Sequence, residues 1–344
     1  MGGKRRLEGT LTRRLARPGP QGRLLWLAFS LALWVVLALG VQPARAFTPF
    51  PVAGGASEHR RITDAALACR WADPSACWSA EALDRLEIAI RRPDITLATF
   101  EAAAHCDSGD LAPDGTSPDG GGPAALEACR KWIRTHIDLA LSAADGLVDA
   151  RGRPLQDARD CAWRALRPRT ALCETDFHLG RALHAAQDFY SHTNWVDRHD
   201  PAKPLSLRNP PGLDGSGPID WLAAEGDEPP PPGLMSGCFV FFPESLFCHG
   251  RTRHQDLSKD SRTGPETPPV GATPRGAVEG NFPRAIDAAT GETARIWTGF
   301  HARLVATYGE TRGQAMSCRL RGLPPSMCGP GLSAAPSSAS GVLQ

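Results

Sequence analysis

The chain has 344 residues, with 38 Lys and Arg against 37 Asp and Glu. That is enough for one large domain with a sizeable core, while 35 Gly and 31 Pro exclude a chain made wholly of regular elements and require long loops. The formal charge of +1 hides an uneven distribution, because the excess of base lies at the N-terminus.

Residues 1–46 read as a targeting segment. A basic stretch (Lys4, Arg5, Arg6, Arg13, Arg14, Arg17, Arg23) precedes an apolar run from Leu24 to Val41, and Ala44-Arg45-Ala46 offers the small-x-small pattern that signal peptidase cuts after. The alternative is an uncleaved membrane anchor, since the run is nearly long enough to span a bilayer. Arg13-Arg14 also suits a twin-arginine export signal. Removing this segment's eight Lys/Arg and one Glu from the totals leaves a mature chain of formal charge −6. An acidic surface argues against nucleic-acid binding, which needs a basic footprint, and it suits carboxylates gathered around cations. The expected location is secreted or cell-envelope. Ten cysteines in an exported chain favour disulfides, and spacing suggests Cys69–Cys77, Cys106–Cys129, Cys161–Cys173, Cys238–Cys248 and Cys318–Cys328. Zinc-ligand cysteines are the rival, but CxxC spacing is absent.

Beyond the leader, residues 47–322 read as one helical metal-binding domain and 323–344 as a low-complexity, disordered tail. Ser57 to Cys69 has helical spacing, with Ser57 as cap and Ile62, Ala65, Ala66 and Cys69 on one face. Ala80 to Arg91 gives a second helix, ending before Pro93, and Thr96 to Ala104 a third. Residues 108–123 are loop by composition. Leu126 to Ala150, Asp176 to Asp197 and Pro283 to Tyr308 form the long helices. Residues 199–236 and 258–280 are loops, and Cys238 to Cys248 (CFVFFPESLFC) forms a small closed loop or hairpin. Helices outnumber strand candidates, so the expected class is all-α.

The chemistry concentrates in DFHLGRALHAAQDFYSHTNWVD, residues 176–197. His184, Asp188 and His192 are spaced four apart, and each step advances about 40° beyond a full turn. All three therefore share one helix face. Leu179, Leu183, Ala186 and Tyr190 form an adjoining apolar stripe, so the polar trio borders the core. A carboxylate buried between two imidazoles is costly unless paired, and a divalent cation pairs with all three. A solvated surface helix is the bland alternative for a bare HxxxDxxxH. Among the other histidines, His136 and His178 read as packed or surface residues, while His199, His254 and His301 could be spare ligands.

The flanking residues carry a resemblance. LGRALHAAQDFYSHTNW is similar to the central motif of the zinc-dependent phospholipase C superfamily, in the branch of Het-C-like and CinY-type proteins and the N-terminal region of an animal von Willebrand A-domain protein. Glu58-His59 with Ile62-Thr63 resembles the branch's EHxxIT segment, and His105-Cys106-Asp107 its HFD segment. Cys248-His249-Gly250 with Leu257-Ser258-Lys259-Asp260 resembles its CxHG…NKD segment. These matches fall in the expected order across roughly residues 47–300.

The resemblance implies a multi-helix fold of the zinc phospholipase C and single-strand nuclease type, with long Pro/Gly-rich loops and one to three zinc ions. It assigns His184, Asp188, His105 and Asp94 to a first zinc, and Asp188 as a bridge to a second that also binds His59 and the amine of Phe47. His192, His249 and Asp260 would form the third. The later HxxxE pair of the phospholipases has no match, since Arg253 stands four residues after His249. The implied activity is hydrolysis of a phospholipid or other phosphodiester, with Asp94 orienting or deprotonating the attacking water; helix capping is the alternative role for Asp94. A nuclease or phosphatase on the same site, and a non-catalytic metal-stabilised envelope or adhesion module, are the competing readings. No protein partner is inferable.

Overall fold

The computed structural model describes residues 58–69, 77–110, 122–155, 161, 170–224, 226–239, 244–259, 273–278 and 280–324, all within the unit Ala44–Gln344. In chain order its helices are α1 (Glu58–Leu67), α2 (Ala80–Ile90), α3 (Arg92–Ile95), α4 (Pro123–Ala143), α5 (Ala171–His192), α6 (Asp220–Ala223), α7 (Glu244–Phe247), α8 (His254–Leu257), α9 (Asn281–Tyr308) and α10 (Glu310–Arg321). Strand pairing among the described residues is limited to isolated bridges, such as Thr193 with Ser236. The class is mostly helical, as expected.

Helix α5 is the hub, with α2, α4 and α9 packed around it. Thr170 starts it, its hydroxyl accepting from the Cys173 N–H at 3.2 Å. At the other end Thr193 leaves helical geometry and turns its hydroxyl back to the Phe189 carbonyl at 2.7 Å. Leu179, Leu183, Ala186 and Tyr190 are buried in one core with Ile62, Leu86, Ile90, Ile133 and Phe300. Gly180 permits the closest crossing: a Cβ there would stand 2.6 Å from the Ala89 Cβ and 2.8 Å from the Ile90 nitrogen of α2. A helix enclosed on nearly all sides can place polar side chains only where another segment supplies their partners.

The helix expected over Leu126 to Ala150 ends at Ala143 and the one expected over Asp176 to Asp197 ends at His192, and two further stretches depart from their sequence patterns. Thr96 to Ala104 forms two short 3₁₀ turns, Leu97–Phe100 and Ala102–Ala104, with Glu101 extended between them. So short a segment cannot sustain a helix without packing, and Leu97 and Phe100 are 85% and 58% exposed. Helix α10 was not legible in the sequence. Its composition (ETRGQAMSCRLR) has little apolar periodicity, and it is held by packing on α9, where Gly313 lies against the Val305 backbone.

The Cys69–Cys77, Cys106–Cys129, Cys161–Cys173 and Cys238–Cys248 disulfides are formed. Cys318 is disulfide-bonded as well, while Cys328, its expected partner, lies outside the described residues. So do the expected leader, Ser57, Phe47, Asp260 and residues 325–344 of the low-complexity tail. No helix among the described residues is long and apolar enough to cross a membrane.

Candidate metal centre

The polar stripe of α5 faces inward. His184, Asp188 and His192 are each fully buried, which removes the reading of a solvated helix face. Three segments distant in sequence converge on it: His59 from α1, Asp94 from α3, and His105 from the end of the second 3₁₀ turn. His59 and His105 are 0% and 4% exposed.

The densest group is a triangle of three atoms. Asp188 Oδ2 lies 3.0 Å from His105 Nδ1 and 3.1 Å from His184 Nε2, and the two nitrogens are 3.1 Å apart. Asp94 Oδ1 completes a fourth vertex at 3.6 Å from His184 Nε2 and 3.8 Å from His105 Nδ1. Four ligands placed about 2.05 Å from a tetrahedral divalent ion would be about 3.3 Å apart. The observed distances bracket that edge, so this group could hold a metal ion.

A second group shares two of these residues through their other oxygens. Asp188 Oδ1 is 3.5 Å from His59 Nε2, and Asp94 Oδ2 is 3.9 Å from the same nitrogen. His59, His184 and Asp188 are likewise placed to hold a cation. Both carboxylates thus face two neighbouring positions, one oxygen each. His59 is oriented by Gln187: its Nδ1 donates to the Gln187 Oε1 at 2.7 Å, while the Gln187 amide donates to the hydroxyls of Thr63 and Thr293 at 3.2 and 3.0 Å. The Thr293 hydroxyl gives its proton to the Ala289 carbonyl at 2.8 Å and so can only accept from Gln187, which fixes which end of the amide accepts from His59. The His59 tautomer follows, with its Nε2 lone pair turned toward the carboxylates.

The protonation states fit ligands. Burial, and the charges and hydrogen bonds around it, act on Asp188 in opposite senses; the histidines prevail and hold its carboxyl well below the usual range. Burial pushes His184 down to about 3 and lowers His59 as well. Metal ligands must be in these forms, carboxylate and neutral imidazole. His105 differs: burial opposes its protonation, but the Asp188 hydrogen bond and charge outweigh burial and raise it. A cation and a proton therefore compete at His105.

The third group is Asp107, His192 and His254, also a possible metal site. His254 Nδ1 lies 2.9 Å from Asp107 Oδ1, and His192 Nδ1 is 2.7 Å from the His105 carbonyl and 3.5 Å from Asp107 Oδ2. Burial opposes ionisation of Asp107, but His254 and His192 bring it down to about 2. Here the Nδ1 nitrogens already have acceptors, and His192 Nε2 is buried without a hydrogen-bond partner among the described residues.

His249, expected as a ligand, is exposed in a turn and joins none of these groups among the described residues. The physical reason is the return of the chain. Gly250 takes a left-handed φ of 77°, after which Cys238 N–H donates to the Thr252 carbonyl at 2.8 Å and His254 N–H to the Cys238 carbonyl at 2.9 Å. The Arg253 backbone approaches so closely that a Cβ on Gly237 would stand 2.4 Å from it. His254, not His249, is thereby carried inward. Asp107 was within the matched His-Cys-Asp segment, yet its role needed the backbone: Cys106 and Ser108 on either side have φ of 55° and 65°. Left-handed conformations at non-glycine residues are costly and concentrate at functional sites.

Asn194 and Trp195 are structural. The Asn194 amide donates to the Pro211 and Gly233 carbonyls and its oxygen accepts from Met235 N–H, pinning two loops. Trp195 donates to the Gly217 carbonyl at 3.0 Å. His199 is exposed, and His301 is paired with the Ser317 hydroxyl at 2.8 Å. His136 and His178 contact each other at 2.9 Å on the flank of α5.

No family model, curated protein or solved structure matches the chain.

Proposed function

We propose that the chain is an exported zinc-dependent phosphodiester hydrolase of the phospholipase C type, as the Het-C/CinY-like motifs imply. The observation that carries this reading is the shared pair of carboxylates: Asp188 and Asp94 each turn one oxygen toward the His105–His184 group and the other toward His59. Two adjacent cation positions joined by carboxylates suit a site that clamps both oxygens of a displacement at phosphorus. Imidazole and carboxylate donors at tetrahedral spacing favour zinc. When bound, such ions lower the pKa of water and neutralise charge on phosphate oxygens.

The chain's own residues divide the remaining work. Asp188, fully buried, is a fixed anion that sets the site's charge. Asp94 retains 10% side-chain exposure, against 0% for Asp188, and is the group we assign to orient or accept a proton from that water. Gln187 and the two threonines hold His59 in its ligating tautomer. The exposed Ile95, Leu97 and Phe100 lie in the segment after Asp94 and offer apolar surface suited to acyl chains.

The test is release of phosphorylated headgroup from mixed phospholipid–detergent micelles by the zinc-loaded mature chain, abolished in His184→Ala. Zinc-loaded protein that turns over no phospholipid, neutral or anionic, rejects the proposal. The near-complete burial of the His105–His184 group favours one other reading, a metal that only stabilises an envelope or adhesion module. A single zinc per chain with four protein ligands and no exchangeable position would establish that reading instead.

A further inference from the structure

Helix α5 continues its stripe beyond the metal ligands. Phe177, Arg181, His184, Asp188 and His192 are spaced four, three, four and four apart, so they lie on one face, and Arg181 precedes His184 by about 4.5 Å of helix rise. The metal centre therefore adjoins a part-exposed cluster of cationic and aromatic side chains from α3, α4 and α5. The Arg181 guanidinium lies 4.9 Å from the Phe177 ring centre and 5.2 Å from that of Trp132. Arg92, two residues before Asp94, lies 5.9 Å over the same Phe177 ring.

Arg181 has no carboxylate within ion-pair distance among the described residues, and its Nε is buried without an acceptor there. Burial first, then the neighbouring Arg92 charge, lower the Arg181 pKa. Its field reaches further: burial and then Arg181 push His178 down to about 4, and His136, lowered by burial first, is held at about 3. Both imidazoles are thus neutral at pH 7 and add no charge beside Arg181. Aromatic stacking occupies the faces of a guanidinium and leaves its in-plane N–H groups for an acceptor. A partly desolvated cation lacking a counter-charge is costly, and an anion with two oxygens fits the fork.

We propose that Arg181, with Arg92 across the Phe177 ring, forms an anion-binding subsite one helical turn from the metal centre, for a second phosphate or a carboxylate carried by the substrate. Its place in substrate selection rests on the hydrolase reading, whereas anion binding itself does not. A choline-type headgroup would meet the Arg181 guanidinium there, so the subsite favours anionic headgroups over cationic ones.

The experiment has two arms. Inorganic phosphate is titrated calorimetrically into the zinc-loaded mature protein, into Arg181→Gln and into Arg181→Lys. Sedimentation with phosphatidylcholine vesicles, with and without phosphatidylinositol phosphate, is measured for the same proteins. Arg181→Gln should weaken phosphate binding about tenfold, and Arg181→Lys should recover only part, since the fork is lost. Loss in both arms assigns a lipid headgroup; loss for inorganic phosphate alone assigns a soluble phosphate. Phosphate held by the metals alone would leave the affinity of Arg181→Gln unmoved, and that result, with helical circular dichroism intact, overturns the proposal. Should Arg181→Gln not fold, Arg92→Gln is read by the same criterion. Absent phospholipid turnover with normal phosphate binding would remove the hydrolase reading and leave the subsite standing.

Discussion

His105 Nδ1 and His184 Nε2 lie 3.1 Å apart, nitrogen facing nitrogen, with Asp188 Oδ2 almost equidistant from both. Three lone-pair atoms this close and this buried repel one another unless a proton or a cation sits among them. One proton satisfies one edge of the triangle, whereas a divalent ion satisfies all three.

Metal content is the first consequence. Purified protein should carry at least one divalent ion per chain by elemental analysis, and chelation should lower its thermal midpoint. An ion present at a thousand times its dissociation constant stabilises by about 4 kcal/mol. Equal midpoints with and without chelator would speak against a bound ion.

Gln187→Ala should weaken metal binding without touching a ligand. The amide holds His59 Nδ1 at 2.7 Å, and loss of such an orienting bond lowers metal affinity by about 10–100-fold. Competition with a chromophoric chelator measures this; an unchanged affinity means His59 is not a ligand.

His254→Ala and His249→Ala separate the third group from the surface turn beside it. His254 is 2% exposed and bonded to Asp107, so its removal leaves a buried carboxylate short of a partner and should cost about 1–3 kcal/mol in urea unfolding. His249→Ala should stay within about 0.5 kcal/mol of the parent.

Acid should act in two ways. With metal bound, protons compete at His105, whose pKa is raised by Asp188 after burial is overcome; affinity should fall as pH drops through that raised value. In metal-free protein, His184 at about 3 resists a proton that the unfolded chain accepts near 6.5. Below pH 6.5 this destabilises the fold by about 1.4 kcal/mol per unit. His105 opposes it, since a raised folded pKa contributes stability that is fully present below 6.5 and lost as pH rises through the raised value. Urea midpoints across pH, with and without zinc, resolve the two; a metal affinity independent of pH would exclude His105 as a ligand.

Gly180→Ala tests the crossing of α2 and α5. Alanine gains about 1 kcal/mol in helix propensity, but its Cβ would meet the Ala89 Cβ at 2.6 Å and backbone behind it. Overpacking costs about 1–3 kcal/mol, so net destabilisation and a lowered thermal midpoint are expected.

Local rules made much of this molecule readable. Periodicity located the long helices, and cysteine spacing anticipated the four disulfides formed among the described residues. The four-residue spacing of His184, Asp188 and His192 placed them on one face, because helix geometry is fixed by the backbone alone. Thr96 to Ala104 and α10 do not follow from the sequence pattern because their conformations are set by packing.

What sequence could not decide was which distant groups complete that face. His249 and His254 are equally plausible as letters in a loop. Only the backbone ladder from Cys238 to Thr252 and His254 turns one outward and the other in. Asp107 and the Arg92–Phe177–Arg181 stack likewise exist as neighbours only after the chain has closed. Spacing within a helix obeys a single repeating geometry; convergence between segments depends on loop paths and on the burial that makes an uncompensated charge costly.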